Sequence, residues 1–323
     1  MHIAITGATG FLGRYIVNHF LSLGHHCCCW YRPQSDRGGF SDSSPLTWVR
    51  GELQNFDSIA DLLEGADAVV HGGLYQPPSG SGHRGASSDV AAFAQANIVG
   101  SLQLIESAQR RGIERFVFIS SGGVHDQILE DRPLDETHPL WPQSHYGAYK
   151  ASVEKFVHSF GLVHRFSPDV SPTHRHLTDQ AAWAICSLRP VGIYGLRRPL
   201  TKSKWYDVVR KVQSGNPIAD PSGGKEVHAD DIACAVELLL NSDPRVVAGQ
   251  SYNCCDRYIA AEEVAAIAKD LCGSNSEITR SNKGPKHQIE TGKLEALGMR
   301  FGGRLRLERY VEQLIAAIAD SDT

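Results

Sequence analysis

The residues 6–13, Thr-Gly-Ala-Thr-Gly-Phe-Leu-Gly, constrain the possible folds of this chain more than any other segment. An apolar run, His2–Ile5, precedes them and suits a buried strand. Tyr15–Leu21 follows, with apolar residues at helical spacing, and Gly24 ends the pattern. A strand, a glycine-rich turn and a helix in immediate succession are the context in which a glycine motif becomes informative. The segment therefore predicts the first unit of an α/β fold.

The glycines of this turn have separate physical roles. Gly7 allows a tight turn, Gly10 lets the backbone approach a pyrophosphate, and Gly13 lets the helix pack closely on the strand. Free N–H groups and the helix dipole favour negative charge at the helix N-terminus. The turn therefore predicts a dinucleotide site with the contact residues Gly7, Thr9, Gly10, Phe11, Leu12 and Gly13. A glycine-rich turn without a ligand is the alternative, because the spacing is one residue longer than the commonest form.

Length and charge restrict the class of protein. The 323 residues suffice for one large α/β domain with a smaller appendage. The net charge of −4 and a sequence pI of about 6.4 give no basic field for nucleic acid or an anionic membrane. We find neither an apolar run of 18 residues nor a signal peptide before the first strand. These features predict a soluble, cytoplasmic protein.

Cysteine and histidine patterns do not indicate a metal site. The eight cysteines include the run 27–29 and the pair 254–255 but no C-x-x-C, and consecutive strand residues face opposite ways. Small buried thiols are the favoured interpretation. His174 and His176 lie in a polar stretch without a recognisable ligand motif, and we interpret them as solvated loop residues.

Strand-like and helix-like segments alternate along the first two-thirds of the chain. This alternation predicts a doubly wound parallel Rossmann sheet with a smaller C-terminal α/β part that binds substrate. The predicted strands are His2–Ile5, His26–Tyr31, Leu46–Val49, Ala66–His71, Arg115–Ser120 and Trp183–Arg189, and the predicted helices include Phe56–Leu63, Val90–Arg111 and one from Ser144. We assign 1–190 to the dinucleotide-binding domain and 191–323 to a smaller domain interleaved with it. The unpatterned stretch 162–180 is interpreted as a surface loop, with a lid or partner contact as the alternative.

Tyr146 and Lys150 are spaced to share one helix face. A tyrosine has a reference pKa of about 10, and a nearby ammonium stabilises its phenolate. Lowering that pKa to about 7 requires roughly 4 kcal/mol, which a lysine and a cofactor cation in a dry cleft could supply together. Tyr149, next to the lysine, is expected to point elsewhere. Ser120 and Ser121 follow a buried strand and would reach the same cleft as Tyr146.

These features together resemble an extended short-chain dehydrogenase/reductase, the NAD-dependent epimerase/dehydratase family, over nearly the whole chain. The resemblance rests on T-G-A-T-G-F-L-G, Gly51-Glu-Leu53, His71, Asn97-Ile-Val-Gly-Ser-Leu, S-S-G-G-V, Pro133-Leu-Asp-Glu-Thr-His-Pro139, Y-G-A-Y-K, Leu188-Arg-Pro190-Val-Gly-Ile-Tyr-Gly195 and Val227-His-Ala-Asp-Asp231. It implies that Ser121 orients the substrate, that Tyr146 is the acid/base, and that Lys150 holds the nicotinamide ribose.

The resemblance also implies further cofactor contacts. Pro190 would pack by the nicotinamide, and Glu52 and Leu53 would flank the adenine, although the family more often has aspartate at the position of Glu52. Gly72, after the fourth strand, completes the implied cofactor-binding set. Asn97 is implied to be structural or part of a water path.

Departures from the family pattern narrow the function. NAD-preferring members usually carry an aspartate at the end of the second strand, where this chain has Tyr31 followed by Arg32. A carboxylate would repel a 2′-phosphate, whereas a guanidinium pairs with one. We therefore expect NADP to be favoured over NAD, although Arg32 could instead stack on the adenine. Gly122 and Gly123 occupy the places of the acidic pair of the dehydratase branch, which disfavours dehydration. Lys225-Glu226 stands where nucleotide-sugar enzymes often carry an arginine clamp, and Arg197 and Arg198 are possible substitutes.

Three functions fit these residues. The favoured one is hydride transfer between NADP(H) and a secondary alcohol or ketone, and a nucleotide-sugar epimerase with tightly bound NAD uses the same residues. The third is a non-catalytic dinucleotide sensor on the same fold. Substrate contacts would come from the C-terminal third, where Tyr194, Arg197 and Trp205 are weak candidates. Two exposed helices packing across a two-fold axis would suit a homodimer, and the sequence leaves the oligomeric state open.

Overall fold

The fold was analysed in a computed structural model, which describes residues 1–40, 45–53, 55, 57–76, 89–166, 183–280, 284 and 287–321. Its ten strands are β1 His2–Thr6, β2 His26–Tyr31, β3 Leu46–Arg50, β4 Ala68–His71, β5 Arg115–Ile119, β6 Ala184–Pro190, β7 Gly192–Tyr194, β8 Gly223–His228, β9 Gln250–Cys254 and β10 Arg257–Ala260. The helices within the described ranges are α1 Phe11–Ser22, α2 Asp57–Leu62, α3 Val90–Ala94, α4 Gly100–Arg110, α5 His145–Phe166, α6 Tyr206–Gln213, α7 Ala229–Asn241, α8 Pro244–Val247, α9 Ala261–Cys272, α10 Gly292–Glu295 and α11 Gly303–Ser321.

The central sheet has seven parallel strands in the order β3-β2-β1-β4-β5-β6-β9. The order reverses between β1 and β4, so the carboxyl ends of these strands open the crevice in which doubly wound folds bind ligands. This arrangement confirms the predicted Rossmann fold class. Parallel pairing with helical crossovers covers both faces, which explains why the strands are almost continuously apolar.

Alternation along the strands divides the main core into two layers. Ile3 and Ile5 of β1 face one layer, which also contains the buried faces of α1 and α7. Ala4, between them, faces the other layer together with Phe116 and Phe118 of β5 and the buried faces of α4 and α5. Helices therefore cover both faces of the sheet, and the crevice at its carboxyl edge is the position at which such folds bind ligands.

The C-terminal part builds a second, smaller layer. The strands β7, β8 and β10 form a three-stranded sheet, and β8 pairs parallel with β7 and antiparallel with β10. Its core includes Val209 of α6, Val264 of α9 and Leu314 of α11. Residues 229–254 return to the large sheet, because α7 packs on α1 and β9 pairs with β6.

Three sequence predictions differ in part from the structure or lie outside the described residues. The predicted loop 162–180 begins too early, because α5 continues to Phe166, and the remainder, with His174 and His176, lies outside the described residues. The predicted helix over 90–111 contains a π-helical turn, Gln95–Val99, between α3 and α4. Cys272 is exposed, against the prediction of buried thiols, whereas Cys27 and Cys29 are buried and Cys28 between them is less so.

None of the helices in the described ranges combines the length and the apolar character needed to cross a membrane.

Candidate active site

The glycine turn after β1 is shaped by close backbone approaches. Gly7 has φ +77°, and a Cβ there would lie 2.7 Å from the carbonyl carbon of Gly72. A Cβ on Gly13 would lie 2.1 Å from the Gly7 oxygen, so only glycine lets α1 start this close to the strand. Gly10 caps α1 without a side-chain hydrogen bond, which leaves the positive end of the helix available to an anion.

A cleft of about 360 Å³ opens beside this turn. Its lining includes seven residues that the sequence analysis assigned to the cofactor: Gly7, Thr9, Gly10, Arg32, Glu52, Leu53 and Gly72. The first turn of α1 lies next to the cleft but does not line it, and this turn contains Phe11, Leu12 and Gly13. The structure therefore brings the carboxyl ends of β1, β2, β3 and β4 together around one pocket. Tyr146, Lys150 and Pro190, which were also assigned to the cofactor, are not part of its lining.

The chain after β4 is tied to β1 through a buried histidine. The Gly73 N–H donates to Thr6 Oγ1 (2.9 Å), and the same hydroxyl is hydrogen-bonded to His71 Nδ1 (2.7 Å). The Ser101 hydroxyl donates to the Asn97 oxygen, so it can only accept from His71 Nε2, and Nδ1 of the neutral ring accepts the Thr6 proton. His71 Nε2 then donates to Ser101 Oγ (2.8 Å). Burial lowers the pKa of His71 to about 3, so the ring stays neutral in this one tautomer.

The π-helical turn positions Asn97 against the same segment. Asn97 Oδ1 accepts from the Tyr75 N–H (2.8 Å), and its Nδ2 donates to the carbonyl oxygens of Tyr75 and Phe93, both at 3.0 Å. Asn97 is fully buried, and all of these bonds are to backbone. Asn97 therefore holds one wall of the cleft, which agrees with the structural role that the resemblance implied.

The turn after β2 carries Arg32 and a charged cluster. The Arg32 N–H donates to Ser35 Oγ (3.1 Å), and both residues line the cleft. Asp36 lies in the same turn and pairs with Arg14 and Arg198, each at 3.1 Å. The Gly38 N–H, followed by these two guanidinium groups, lowers the pKa of Asp36, which keeps its carboxylate ionised. Arg198 is therefore engaged with Asp36.

The predicted catalytic side chains meet at the carboxyl end of β5. Ser121 Oγ accepts from the Gly123 N–H (3.1 Å), and the Ser121 and Tyr146 hydroxyl groups are hydrogen-bonded. Lys150 Nζ lies 5.7 Å from the centroid of the Tyr146 ring, one turn further along α5. Pro190, at the end of β6, lies beside this group, because its oxygen is 3.6 Å from where a Cβ on Gly122 would be.

Burial dominates the electrostatics of Tyr146 and Lys150. Burial raises the pKa of Tyr146, and the hydrogen bond with Ser121 only partly opposes this effect. Burial also lowers the pKa of Lys150 to about 7, against the opposing charge of Glu154. Burial therefore acts against the ionised form of both side chains, and the protein groups alone do not lower the pKa of Tyr146.

Lys150 and Tyr149 are in contact, contrary to the expectation that Tyr149 points elsewhere. Lys150 Nζ donates to the Ile119 oxygen at 2.7 Å and lies 3.4 Å from the Tyr149 hydroxyl. The Tyr149 ring is only 1% exposed, and burial raises its pKa. Tyr149 is therefore part of the wall behind Lys150 and does not face the cleft.

The sequence analysis missed a buried ion pair behind this group. Arg189 of β6 donates through Nε to both oxygens of Glu154 (2.9 and 3.0 Å) and through Nη2 to Oε2 (2.6 Å). Glu154 follows Lys150 by one helical turn, so the spacing 146, 150, 154 was the signal that could have found it. The pair joins α5 to the sheet and fixes the helix that carries Tyr146.

The weak substrate-contact candidates have different surroundings. Tyr194 is fully buried in the small core, so it does not face a substrate. Trp205 is half-buried and has φ +62°, a strained conformation for a non-glycine residue. Lys204, next to it, is paired with the buried carboxylate of Glu226. Arg197 stacks on Phe11, with its Cζ 4.1 Å from the ring centroid.

In the described ranges no three His, Cys, Asp or Glu side chains come together in an arrangement that could hold a metal ion.

Comparisons with known proteins agree with this geometry. The dTDP-glucose 4,6-dehydratase of Streptomyces antibioticus is 29% identical over 176 residues, which are 51% of this chain and 50% of that protein. The 3-beta-hydroxysteroid dehydrogenase of Mycolicibacterium neoaurum is 25% identical over 198 residues, which are 60% of this chain and 48% of that protein. The chain thus spans about half the length of the curated relatives that it matches.

Solved structures share the fold over the full length. The UDP-glucose 4-epimerase of Thermus thermophilus, in complex with NAD, matches with a TM-score of 0.72 at 21% identity. The match covers 98% of this chain and 100% of the epimerase chain. RMD from Pseudomonas aeruginosa, complexed with NADPH, matches with a TM-score of 0.69 at 19% identity. The match covers 98% of this chain and 96% of the RMD chain. The family model described as "NAD dependent epimerase/dehydratase family" matches residues 3–255. The chain therefore belongs to the NAD dependent epimerase/dehydratase family.

Proposed function

We propose that this protein is an NAD(P)-dependent oxidoreductase that transfers a hydride between a nicotinamide cofactor and a secondary alcohol or ketone. The observation that carries the proposal is the hydrogen-bonded pair Ser121–Tyr146 beside the buried Lys150, at the carboxyl end of β5. The cleft beside the glycine turn opens at the same edge of the sheet. Family membership and the crevice position of doubly wound folds support a dinucleotide there.

The glycine turn fits such a cofactor on physical grounds. The close approaches of Gly7 and Gly13 leave no space for a Cβ, and the uncapped start of α1 attracts a phosphate. Glu52 and Leu53 would flank the adenine, Gly72 would contact the cofactor from the end of β4, and Pro190 would pack by the nicotinamide. A nicotinamide dinucleotide supplies or accepts the hydride when it is bound.

Proton transfer in the proposed reaction belongs to Tyr146. Burial raises its pKa, so the protonated form predominates and can donate to a carbonyl oxygen during reduction. Ser121 would hold that oxygen through its hydroxyl group. Lys150, when charged, would stabilise the phenolate that remains and bind the nicotinamide ribose.

NADP is the proposed preference over NAD, because Arg32 lines the cleft at the end of β2. Its guanidinium could pair with a 2′-phosphate. We expect Arg32→Ala to weaken binding of NADPH and to leave binding of NADH little changed. Equal NADPH affinity in the variant and in the unmutated protein would refute this assignment.

A nucleotide-sugar epimerase is the second candidate, favoured by the full-length similarity to the UDP-glucose 4-epimerase fold. Dehydration is disfavoured, because the glycines at positions 122 and 123 offer no proton donor. A Cβ at position 122 would also lie only 3.0 Å from Val191 Cγ1. To separate epimerase from reductase, freshly purified protein is denatured and any released dinucleotide is identified by mass. Stoichiometric NAD supports an epimerase, and an empty protein that binds NADPH more tightly than NADH supports a reductase.

Catalysis itself is tested with Tyr146→Phe. We expect NADPH consumption with a panel of ketones to fall by about 10²- to 10⁴-fold while dinucleotide binding is retained. Tyr206→Phe, a buried tyrosine of the small core, is the matched control. Full turnover in Tyr146→Phe would contradict the assignment of proton transfer to Tyr146. Cofactor-linked phenotypes that all stay intact in Tyr146→Phe would favour a dinucleotide sensor.

A homodimer is the proposed assembly. The exposed apolar side chains Phe156 of α5 and Val90 of α3 support it, because both are 43% exposed on the helical layer next to the site. Light scattering on the purified protein would measure the mass, and a monomer at micromolar concentration would refute this assembly.

A further inference from the structure

His125 is a buried histidine that the proposed mechanism does not use. Only 6% of the residue is exposed, and it directly follows the turn Gly122–Val124, which Ser121 caps at the other end. The His125 N–H donates to the Gly122 oxygen (3.1 Å), and Ser121 Oγ accepts from the next N–H of the turn, that of Gly123 (3.1 Å). The histidine and the serine are therefore the two ends of one short hydrogen-bonded turn.

The ring of His125 connects this turn to the buried ion pair. Arg189 Nη1 lies 3.3 Å from His125 Nε2, while Nε and Nη2 of the same guanidinium bind Glu154. A guanidinium can only donate, so His125 Nε2 accepts and the ring proton is on Nδ1, which lies 3.4 Å from the Pro139 oxygen. Burial, followed by the charge of Arg189, lowers the pKa of His125 to about 4, so near neutral pH the ring is uncharged and keeps this acceptor.

A second buried histidine, His138, packs beside this ring. His138 Nε2 accepts from the Leu129 N–H (3.0 Å), so its Nδ1 proton donates to the same Pro139 oxygen (2.9 Å). The two histidine rings meet edge to face, with 5.4 Å between their centroids. The ring of His125 is thus held by contacts at both of its nitrogen atoms and by a neighbouring ring.

The turn also touches α5 at a second point, at the residue that follows the proposed proton donor. A Cβ on Gly147 would lie 2.5 Å from the Gly123 oxygen, so the backbones of the turn and of α5 are in direct contact there. Glu154 lies about two helical turns further along α5. One contact would let the turn tilt on the helix, whereas the bridge from His125 through Arg189 to Glu154 fixes the angle between them.

This angle decides whether the two proposed reacting hydroxyl groups meet. Ser121 lies on the turn and Tyr146 on α5, and their hydroxyl groups are hydrogen-bonded. Resting on the proposed function, we infer that His125 is a positioning residue, which holds Ser121 against Tyr146 through its contact with the buried ion pair. A misplacement of about 1 Å at a reacting group can cost about 100-fold in rate.

The experiment compares His125→Leu, which removes the acceptor, with His125→Gln, whose amide oxygen can replace it. Tyrosine with an isotope label at Cζ is incorporated for NMR, and the Tyr146 resonance, assigned by its loss in Tyr146→Phe, reports the hydrogen bond with Ser121. We expect His125→Leu to move this resonance in the same direction as Ser121→Ala does, and to lower kcat with the ketone panel by about 10- to 100-fold. The dissociation constant of NADPH should stay unchanged, because His125 does not line the cleft. His125→Gln should restore most of the resonance position and of kcat.

His158→Leu is the matched control. It removes a histidine hydrogen bond to the Gly249 oxygen (2.9 Å) from the same helix, one turn beyond Glu154. We expect it to leave both the Tyr146 resonance and kcat unchanged.

An unmoved Tyr146 resonance in His125→Leu would overturn the inference. Equal effects of His125→Leu and His125→Gln would overturn it as well, because the loss would then come from packing and not from the acceptor. If His125→Leu does not fold, NMR of the histidine ring nitrogens in the unmutated protein decides: a proton on Nδ1 supports the contact with Arg189, and a proton on Nε2 refutes it. Unmutated protein that binds neither NADPH nor NADH would refute the proposed function, whereas the Tyr146 resonance tests the positioning of Ser121 independently.

Discussion

The buried ion pair Glu154–Arg189 allows a stability prediction of defined size. Both side chains are nearly inaccessible, with 3% and 4% exposed, and three contacts between 2.6 and 3.0 Å join them. Arg189→Met removes the cation and leaves the carboxylate of Glu154 buried, with Ser251 Oγ at 3.4 Å as a remaining donor. Stranding a buried charge in this way costs about 3–5 kcal/mol. That is a large part of a stability of about 5–15 kcal/mol.

Urea unfolding at neutral pH measures this cost from the midpoint and the slope. Arg110→Met is the matched control, because Arg110 pairs with Glu106 at 2.7 Å but is 72% exposed, and such surface pairs are worth about 0–1 kcal/mol. The double change Glu154→Leu with Arg189→Met should recover most of the loss, since it leaves neither member of the pair stranded. If Arg189→Met cost no more than Arg110→Met, the reasoning from burial would be wrong.

Three further predictions concern the cleft and its lysine. Gly13→Ala should weaken NADPH binding by about 10-fold or more, because its Cβ would lie 2.1 Å from a backbone oxygen. Gly292→Ala is the control, because the space around Gly292 is open. Equal NADPH affinities in the two variants would contradict the prediction. Asn97→Ala should cost about 1–3 kcal/mol in urea unfolding, because it strands the Tyr75 N–H and carbonyl groups, and an unchanged midpoint would count against that role. The pKa of Lys150 is lowered to about 7, so between that pH and the usual value of 10.5 the unfolded chain binds the extra proton. Stability should therefore rise with pH in this window by up to about 1.4 kcal/mol per unit, relative to Lys150→Met, and parallel pH profiles would refute the shift.

The local parts of the fold could be predicted because their causes are local. The apolar run before the glycine turn and the helical spacing after it are properties of neighbouring residues, and β1 and α1 occur where they predict. The spacing of Tyr146 and Lys150 likewise depends only on helix geometry. In the structure Lys150 Nζ lies 5.7 Å from the centroid of the Tyr146 ring. The effect of the surrounding core on the pKa of Tyr146 could not be predicted in this way, because desolvation is not visible in a spacing.

The sequence by itself determined the alternation of strands and helices, the glycine turn and the residues that family resemblance assigns to cofactor and proton transfer. Only the tertiary structure decided that Arg189 reaches Glu154 while Arg197 rests on the ring of Phe11. Propensity and periodicity act over a few residues, whereas these contacts join segments far apart in the chain. Their pairing depends on which elements the packed core brings together, and so does the free energy of burying each charge.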